Sequence, residues 1–316
     1  MSTHHSDDVR HLASAPIVVG VDGSAAADAA VAWAAETAER RGRTLCIVHG
    51  MNLAGMTRTL EPYDLLEPPV LDAVRARAGA LVELAAQRAV QRALAAAPGV
   101  RVQTEVSAAD AVRLLLRYGP TAYLMVLGAS GAGGLAAHLG STVLSVSCRA
   151  EGVVVVVRPD SDPGRRVRRE GPVVVGVDGG PMSEAAIGAA FEEAAERGAE
   201  LVAVHVWDDA KFGHYAGNPY LVFPTPEIEV TEQALLAERL AGWQEKYPEV
   251  LVNRRVYPSD PVRTLLAWSG SAQLMVVGSR GHGWIRGALL GSTSNALVQH
   301  ANCPVMVVHP DERSES

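Results

Sequence analysis

The stretch from Gly278 to Asn295, GSRGHGWIRGALLGSTSN, has the composition of a loop that binds an anion. It holds five glycines and two arginines in eighteen residues, directly after the apolar run LMVV. Glycine lets backbone N–H groups approach a phosphate closely, and arginine supplies positive charge. The Ser-Thr pair at Ser292 predicts a helix start, whose unpaired N–H groups and dipole also favour a phosphate. The alternative interpretation is an ordinary strand-to-helix turn, for which glycines are equally common.

The same features occur earlier in the chain, which indicates an internal duplication. PIVVGVDGS at Pro16 recurs as PVVVGVDGG at Pro172, 156 residues further on. A thinner glycine stretch, GASGAGGLAAHLGSTVL, begins at Gly128, 150 residues before Gly278. The repeat is independent evidence that the chain consists of two related domains.

Each copy alternates apolar, β-branched runs with longer helical patterns, which predicts βαβ units and a parallel sheet. In the second copy the strands read PVVVGVD, ELVAVHVW, VLVNRRVY, QLMVVG and PVMVV. We predict an α/β protein of two tandem, doubly wound, five-stranded parallel sheets, each of strand order 3-2-1-4-5. The predicted domains span residues 16–159 and 172–310, with a linker at 160–171, a disordered tail at 1–15 and a short tail at 311–316.

A sheet of this order binds ligands where the strand order reverses, outside the carboxyl ends of strands 1 and 4. In the second copy, strand 1 ends at Asp178 and strand 4 runs directly into Gly278. The acidic residue and the glycine stretch are therefore expected to converge at the switch point. The residues alone predict a nucleotide or another anion as the ligand there.

Composition and motifs exclude several other functions. The net charge of −7 argues against nucleic acid as a partner, and no apolar run is long enough to span a membrane. Cys46, Cys148 and Cys303 occur singly, so we expect buried thiols in a reducing, cytoplasmic setting. A P-loop needs lysine after its second glycine, but the only lysines are Lys211 and Lys246. The motifs G-x-S-x-G and H-E-x-x-H are absent as well.

The pattern G-x-x-G, nine residues, then G-[ST] is met by Gly278, Gly281, Gly291 and Ser292. Together with VGVDGG before it and CPVMVV after it, this pattern resembles the universal stress protein family in its tandem two-domain form. The resemblance implies an adenine-nucleotide alpha-hydrolase-like fold, and ATP, with or without Mg²⁺, as the ligand of members carrying the glycine motif. It further implies a role in stress response, little or no turnover, and pairing through the last strand, either within the chain or in a homodimer.

By position, the resemblance assigns a nucleotide site to each copy. In the second copy the ribose side falls on Gly176, Val177 and Asp178, adenine on the backbone of Val206, and the sugar and phosphates on Val277, Gly278, Arg280, Gly281, Gly291, Ser292, Thr293 and Ser294. In the first copy the matching residues are Gly20, Val21, Asp22, Gly50, Leu127, Gly128, Ser130, Gly131, Gly140, Ser141 and Thr142.

The first copy departs from this pattern. It lacks both loop arginines, has Gly50 where the second copy has Val206, and has one residue fewer between Gly131 and Gly140. We expect a strong site in the second copy and a weaker or vacant one in the first.

Three functions stay open at this point: a non-enzymatic ATP-binding regulator, a slow ATPase or nucleotidyl transferase using the same crevice, and an interaction protein whose loop is a relic. His49 and His205, each at the end of a predicted strand, are interpreted as hydrogen-bonded structural histidines. The proline- and glycine-rich segments after each second strand are interpreted as a lid, a partner surface or an irregular connector.

Overall fold

The computed structural model describes residues 14–50, 68–107, 109–129, 140–158, 167–180, 182–207, 226–258, 260–280 and 290–309. The chain divides into two units, Met1–Arg158 and Pro159–Ser316. Most of the predicted N-terminal tail, the C-terminal tail, most of the linker and most of the segments after each second strand lie outside the described residues. None of the helices described is both long enough and apolar enough to cross a membrane.

Unit 1 contains five strands and four helices in strict alternation among its described residues. They are β1 (Ile17–Gly20), α1 (Ala25–Arg40), β2 (Thr44–Gly50), α2 (Pro68–Ala96), β3 (Arg101–Ser107), α3 (Ala111–Tyr118), β4 (Leu124–Gly128), α4 (Ser141–Arg149) and β5 (Val153–Val157). The strands pair in parallel in the order β3-β2-β1-β4-β5.

Unit 2 repeats this arrangement. Its elements are β6 (Val173–Val177), α5 (Met182–Arg197), β7 (Leu201–Trp207), α6 (Pro226–Lys246), β8 (Val252–Pro258), α7 (Pro261–Ser269), β9 (Leu274–Gly278), α8 (Ser292–His300) and β10 (Val305–Val308). The parallel order is β8-β7-β6-β9-β10. The predicted α/β class and the order 3-2-1-4-5 are confirmed in each unit.

Local sequence explains where the helices begin and end. Asp260 caps α7 by accepting from the Val262 N–H at 2.8 Å, with Pro261 in the first turn. Gly198 follows α5 with a φ of 58°, a left-handed conformation that stops a helix and suits glycine. Both boundaries are therefore set by residues next to the helix ends.

Helices cover both faces of each sheet, which explains the continuous apolar strands. In unit 2, α5 contacts α6, while α7 contacts α8. The first four residues of β9, LMVV, are all buried, as are the first three of β6. Strands buried on both faces carry no alternating polar side chains.

An aromatic cluster holds α5 against α6. Trp243 stacks on Phe191 and Tyr247 with ring centroids 6.3 and 6.4 Å away, and its indole N–H donates to Glu184 at 2.6 Å. A Cβ atom at Gly188 would lie only 2.5 Å from the Trp243 ring. Glycine at this helical position is therefore explained by the ring that packs over it.

Candidate functional site

The switch point of unit 2 brings together two residues that are 100 positions apart in the chain. Strands β6 and β9 are adjacent and parallel, with Val175 opposite Val276. Asp178 directly follows β6, and Gly278 ends β9, so both lie at the same edge of the sheet. The predicted convergence of the acidic residue with the start of the glycine stretch is confirmed.

The carboxylate of Asp178 orders the turn between β6 and α5. Its Oδ1 accepts from the Gly180 N–H at 3.0 Å and from the Ser183 hydroxyl, whose oxygen accepts from the Asp178 N–H at 3.0 Å. In unit 1, Asp22 likewise accepts from the Ser24 N–H at 3.0 Å. The sequence analysis missed this turn-forming role, although aspartate two residues before a turn amide is its usual signal.

Two hydrogen bonds join the end of β9 to the beginning of α8, and a third joins it to β10. The Ser279 N–H donates to the Val308 carbonyl at 2.8 Å, and the Gly291 N–H donates to the Ser279 carbonyl at 2.9 Å. The Ser294 hydroxyl donates to the Gly278 carbonyl at 2.6 Å. The two ends of the glycine stretch are therefore adjacent, whereas Gly281 lies outside the described residues, as do Ser130 and Gly131 of unit 1.

The first turn of α8 has no side-chain cap. Its N-cap is Gly291, with φ −60° and ψ 149°, whereas Ser24 caps α1 and Asp110 caps α3 through their side chains. Among the described residues, no acceptor pairs with the backbone N–H groups of Ser292 and Thr293. A helix beginning with unpaired donors and a positive dipole end is suited to a phosphate.

Two further groups at the end of β9 have no hydrogen-bond partner among the described residues. The hydroxyl of Ser279 is buried, with the residue 1% exposed, and neither donates nor accepts. The half-buried Arg280 makes no ion pair within the described part of the chain. An unpaired cation and hydroxyl near uncapped N–H groups fit an anionic ligand, which would pair with them.

Packing gives a second reason for three of the predicted glycines. A Cβ atom at Gly128 would lie 2.7 Å from the Ala27 nitrogen in the first turn of α1. At Gly20 it would lie 2.8 Å from Leu127 Cδ2, and at Gly176 3.0 Å from Leu265 Cδ1. Backbone atoms thus require glycine at position 128 whether or not a ligand binds, whereas at Gly20 and Gly176 a Cβ atom would displace the end of a leucine side chain.

Unit 1 differs from unit 2 at the position that the resemblance assigns to adenine. A Cβ atom at Gly50 would lie 2.6 Å from the Ala111 nitrogen and 2.9 Å from the Ala109 carbonyl oxygen. The connector between β3 and α3 therefore packs directly against the end of β2. In unit 2 the same strand position is Val206, whose side chain is half-buried.

Unit 1 keeps the uncapped helix but loses its polar neighbours. Gly140 is the N-cap of α4, with no side-chain hydrogen bond, so Ser141 and Thr142 begin this helix as Ser292 and Thr293 begin α8. Buried Val143 stands where unit 2 has Ser294, and buried Ala129 stands where it has Ser279.

The histidines at the ends of the second strands make the structural hydrogen bonds expected of them. His205 Nδ1 lies 2.8 Å from the Val177 carbonyl oxygen, and His49 Nδ1 lies 2.7 Å from that of Val21. In unit 2 the other nitrogen, Nε2, lies 2.9 Å from Glu232 Oε2 on α6. The sequence analysis missed Glu232, because nothing in the pattern of α6 distinguishes it from the helix's other acidic residues.

Thiol chemistry and metal binding have little support among the described residues. Cys46 and Cys303 are buried and Cys148 is half-buried, all as free thiols. Burial raises the pKa of the Cys46 and Cys148 thiols, so both stay protonated and unreactive at neutral pH. No group of three His, Cys, Asp or Glu side chains suited to a metal ion occurs in the part of the chain described.

Two surface cavities among the described residues lie away from the switch point. One of about 660 Å³ lies between α6 and β8, and one of about 450 Å³ lies between β8 and α7. Neither is lined by a residue of the candidate site. The site is therefore defined by the donors at the strand ends, and not by either of these cavities.

Comparisons with known proteins agree with the fold and the duplication. The model of the Universal stress protein family matches residues 14–158 and 171–309. A universal stress protein of Mycolicibacterium smegmatis is 42% identical over 296 residues, covering 93% of this chain and 97% of the relative. One of Mycobacterium tuberculosis is 38% identical over 291 residues, covering 92% and 96%.

A solved structure shows the same fold over nearly the whole chain. The crystal structure of a universal stress protein from Archaeoglobus fulgidus is similar with a TM-score of 0.63 at 18% identity, and covers 95% of this chain and 98% of that one. The two family matches, one in each half, correspond to the two copies found in the sequence. This chain belongs to the universal stress protein family.

Proposed function

We propose that unit 2 binds ATP at the switch point between β6 and β9, and that the protein acts in stress response as a nucleotide-dependent regulator. The observation that carries this proposal is the beginning of α8. There, unpaired backbone N–H groups, the buried unpaired hydroxyl of Ser279 and the unpaired cation of Arg280 occur together. A polyphosphate would satisfy all three kinds of donor.

The other contacts of the nucleotide are proposed for residues at the strand ends and at the start of α8. Gly291, Ser292 and Thr293 would hold the phosphates through their N–H groups, with Ser294 keeping the helix in place through Gly278. The ribose would lie near Gly176, Val177 and Asp178, and adenine at the backbone of Val206. Val277 and Gly281 complete the set that the family resemblance assigns.

We further propose that turnover is slow or absent. Both ring nitrogens of His205 are engaged, one by Val177 and one by Glu232, so this histidine is not available as a general base. The Asp178 carboxylate is engaged in the turn between β6 and α5, where it accepts from the Gly180 N–H. Bound ATP would therefore regulate the protein by being bound and not by being hydrolysed. We place this function in the cytoplasm, in agreement with the three free cysteines.

The proposal includes an asymmetry between the two units. Unit 1 has Ser130 in place of Arg280 and packs its own connector on Gly50. Losing the charge-assisted contacts of the loop arginines should weaken polyphosphate binding by about 1–3 kcal/mol, tenfold or more. One strong site in unit 2 and a weak or vacant site in unit 1 are expected.

Calorimetric titration of the full chain with ATP tests this directly, with native mass spectrometry to detect co-purified nucleotide. Gly281→Glu should abolish the tight site by placing a bulky anion in the phosphate loop, while the chain still unfolds cooperatively. The matched variant Gly131→Glu should leave the tight site unchanged. Two sites of equal affinity would refute the asymmetry, and no binding by the wild type would refute the function. Phosphate release measured on the same samples separates a binding protein from an ATPase.

A further inference from the structure

His205 connects the end of β6 to α6. Its side chain is buried, with the residue 5% exposed, and lies between the Val177 carbonyl at 2.8 Å and the Glu232 carboxylate at 2.9 Å. Val177 immediately precedes Asp178, whose N–H and carboxylate form the turn into α5. A continuous chain of hydrogen bonds therefore runs from α6 to the edge of the candidate site.

The two hydrogen-bonding contacts of His205 specify which atoms between Val177 and Glu232 carry a hydrogen. A carbonyl oxygen can only accept, so Nδ1 must carry the hydrogen that it donates to Val177. An ionised carboxylate also only accepts, so the contact between Nε2 and Glu232 needs one further proton, shared between those two atoms. The Glu232 contact thus sets the orientation of the ring, and the ring in turn holds the Val177 carbonyl.

Within the described part of unit 1, only half of this arrangement is present. His49 keeps its bond to the Val21 carbonyl at 2.7 Å. Helices α2 and α6 end 150 residues apart, at Ala96 and Lys246, and the same spacing places Val82 where α6 has Glu232. Valine cannot bond the imidazole, so the carboxylate is particular to the unit that keeps the stronger candidate site.

We propose that Glu232 is a positioning residue for the nucleotide site of unit 2, acting through His205 on the turn at Val177 and Asp178. This inference rests on the proposed ATP binding. Glu232 does not touch the ligand. It restricts the strand end that faces the ribose, so its removal costs affinity by loosening the turn while the fold remains.

Two substitutions at one position separate the hydrogen bond from the helix packing. Glu232→Val installs the unit 1 residue and removes the bond. Glu232→Gln keeps it, because an amide N–H donates to the Nε2 of a neutral imidazole. Glu238→Val, an exposed position on the same helix, is the matched control. Leu236 and Leu240 are buried, at 1% and 0% exposure, and hold α6 in place in every variant.

The experiment measures ATP affinity by calorimetry on the full chain, together with amide hydrogen exchange of Asp178 and Gly180 by NMR without nucleotide. Glu232→Val should weaken ATP binding about three- to tenfold, as expected for one hydrogen bond. It should also speed exchange of the two turn amides about tenfold, by raising the open population of the turn. Glu232→Gln and Glu238→Val should resemble the wild type in both measurements.

The outcomes distinguish this inference from the proposed function. A wild type that does not bind ATP overturns the function, and with it the role in binding. A wild type that binds, with Glu232→Val binding equally well and exchanging at the same rate, overturns the positioning role alone. Glu232→Gln behaving as badly as Glu232→Val overturns it too, because the hydrogen bond would then not be the cause.

Discussion

The hydroxyl of Ser294 donates to the carbonyl oxygen of Gly278 at 2.6 Å and so joins the first turn of α8 to the end of β9. Sixteen residues separate the two partners, and the glycine stretch lies between them. This bond holds the start of the helix, whose first N–H groups have no partner among the described residues, at the edge of the sheet where Asp178 begins the turn after β6. In unit 1 the partner is lost, because Val143 replaces the serine.

Ser294→Ala should therefore lower both stability and ATP affinity. The serine is 4% exposed, and its loss leaves the Gly278 carbonyl without this donor. A decrease of about 1–2 kcal/mol in the free energy of unfolding is expected. Chemical denaturation measures it, with the exposed Ser292→Ala as the stability control. Equal stability of the two variants would contradict the assigned role of the bond.

A buried ion pair in α5 makes a second prediction. The side chains of Glu193 and Arg197 are 3% and 6% exposed and 2.7 Å apart, and Arg197 Nη1 also donates to Gln273 at 3.4 Å. Glu193→Ala leaves the guanidinium buried without its carboxylate, so unfolding should cost about 3–5 kcal/mol less. Glu196→Ala on the same helix should change stability by about 0.5 kcal/mol or less. Thermal or denaturant unfolding compares the two, and similar losses would argue against a buried pair.

Because Trp243 packs over Gly188, the substitution Gly188→Ala should have opposite effects on stability in the wild type and in the Trp243→Ala variant. In the wild type, Gly188→Ala forces a Cβ against the stacked ring and should destabilise the protein by about 1–2 kcal/mol. With Trp243→Ala the space opens, and the same change should stabilise by about 0.5–1 kcal/mol through the higher helix propensity of alanine. Unit 1 already has alanine at both positions, because Ala32 matches Gly188 and Ala93 matches Trp243. A double-mutant cycle in urea tests it, and an unchanged sign would show that the ring moves aside freely.

The free energy of unfolding at acidic pH depends on Glu105 in β3. Hydrogen bonds from the Tyr118 hydroxyl, and then from Arg117, hold the pKa of this carboxyl below its ordinary value of 4.5. The unfolded chain therefore takes up the proton first. The contribution is present above pH 4.5 and is lost as the pH falls through the lower folded-state pKa.

Tyr118→Phe removes the largest cause of that shift. The variant should be less stable than the wild type at pH 7, and the difference should shrink as the pH falls below 4.5. Unfolding free energies measured between pH 7 and pH 3 check this, with Arg113→Ala on the same helix as a control. Parallel pH profiles of the variant and the wild type would contradict the coupling.

Much of the architecture could be predicted from local patterns. The repeated PIVVGVDGS and PVVVGVDGG runs correspond to β1 and β6. Asp260 before Pro261 marks the start of α7. Each of these signals depends on a few neighbouring residues, whose apolar periodicity and capping groups act over one or two turns. The alternation of strands and helices predicts a parallel sheet, and the order 3-2-1-4-5 is an assumption that the structure confirms.

The candidate site was predictable in part. The sequence places Asp178 directly after one strand and Gly278 at the end of another, and the assumed order 3-2-1-4-5 makes these strands neighbours. The sequence does not determine which polar groups find partners. The Ser279 hydroxyl and the N–H groups of α8 have none among the described residues, and only the coordinates reveal this.

What the tertiary structure alone decided are the contacts between residues far apart in the chain. Glu232 is one of several acidic residues on α6, and it meets His205 only because α6 packs over β7. Gly50 is closed off by Ala111 because the connector after β3 runs across the end of β2. Local propensity carries no information about such pairs, since they depend on how helices settle onto a finished sheet. The duplication and the substitutions that distinguish the two units can thus be read from the sequence, while the contacts that those residues make depend on packing.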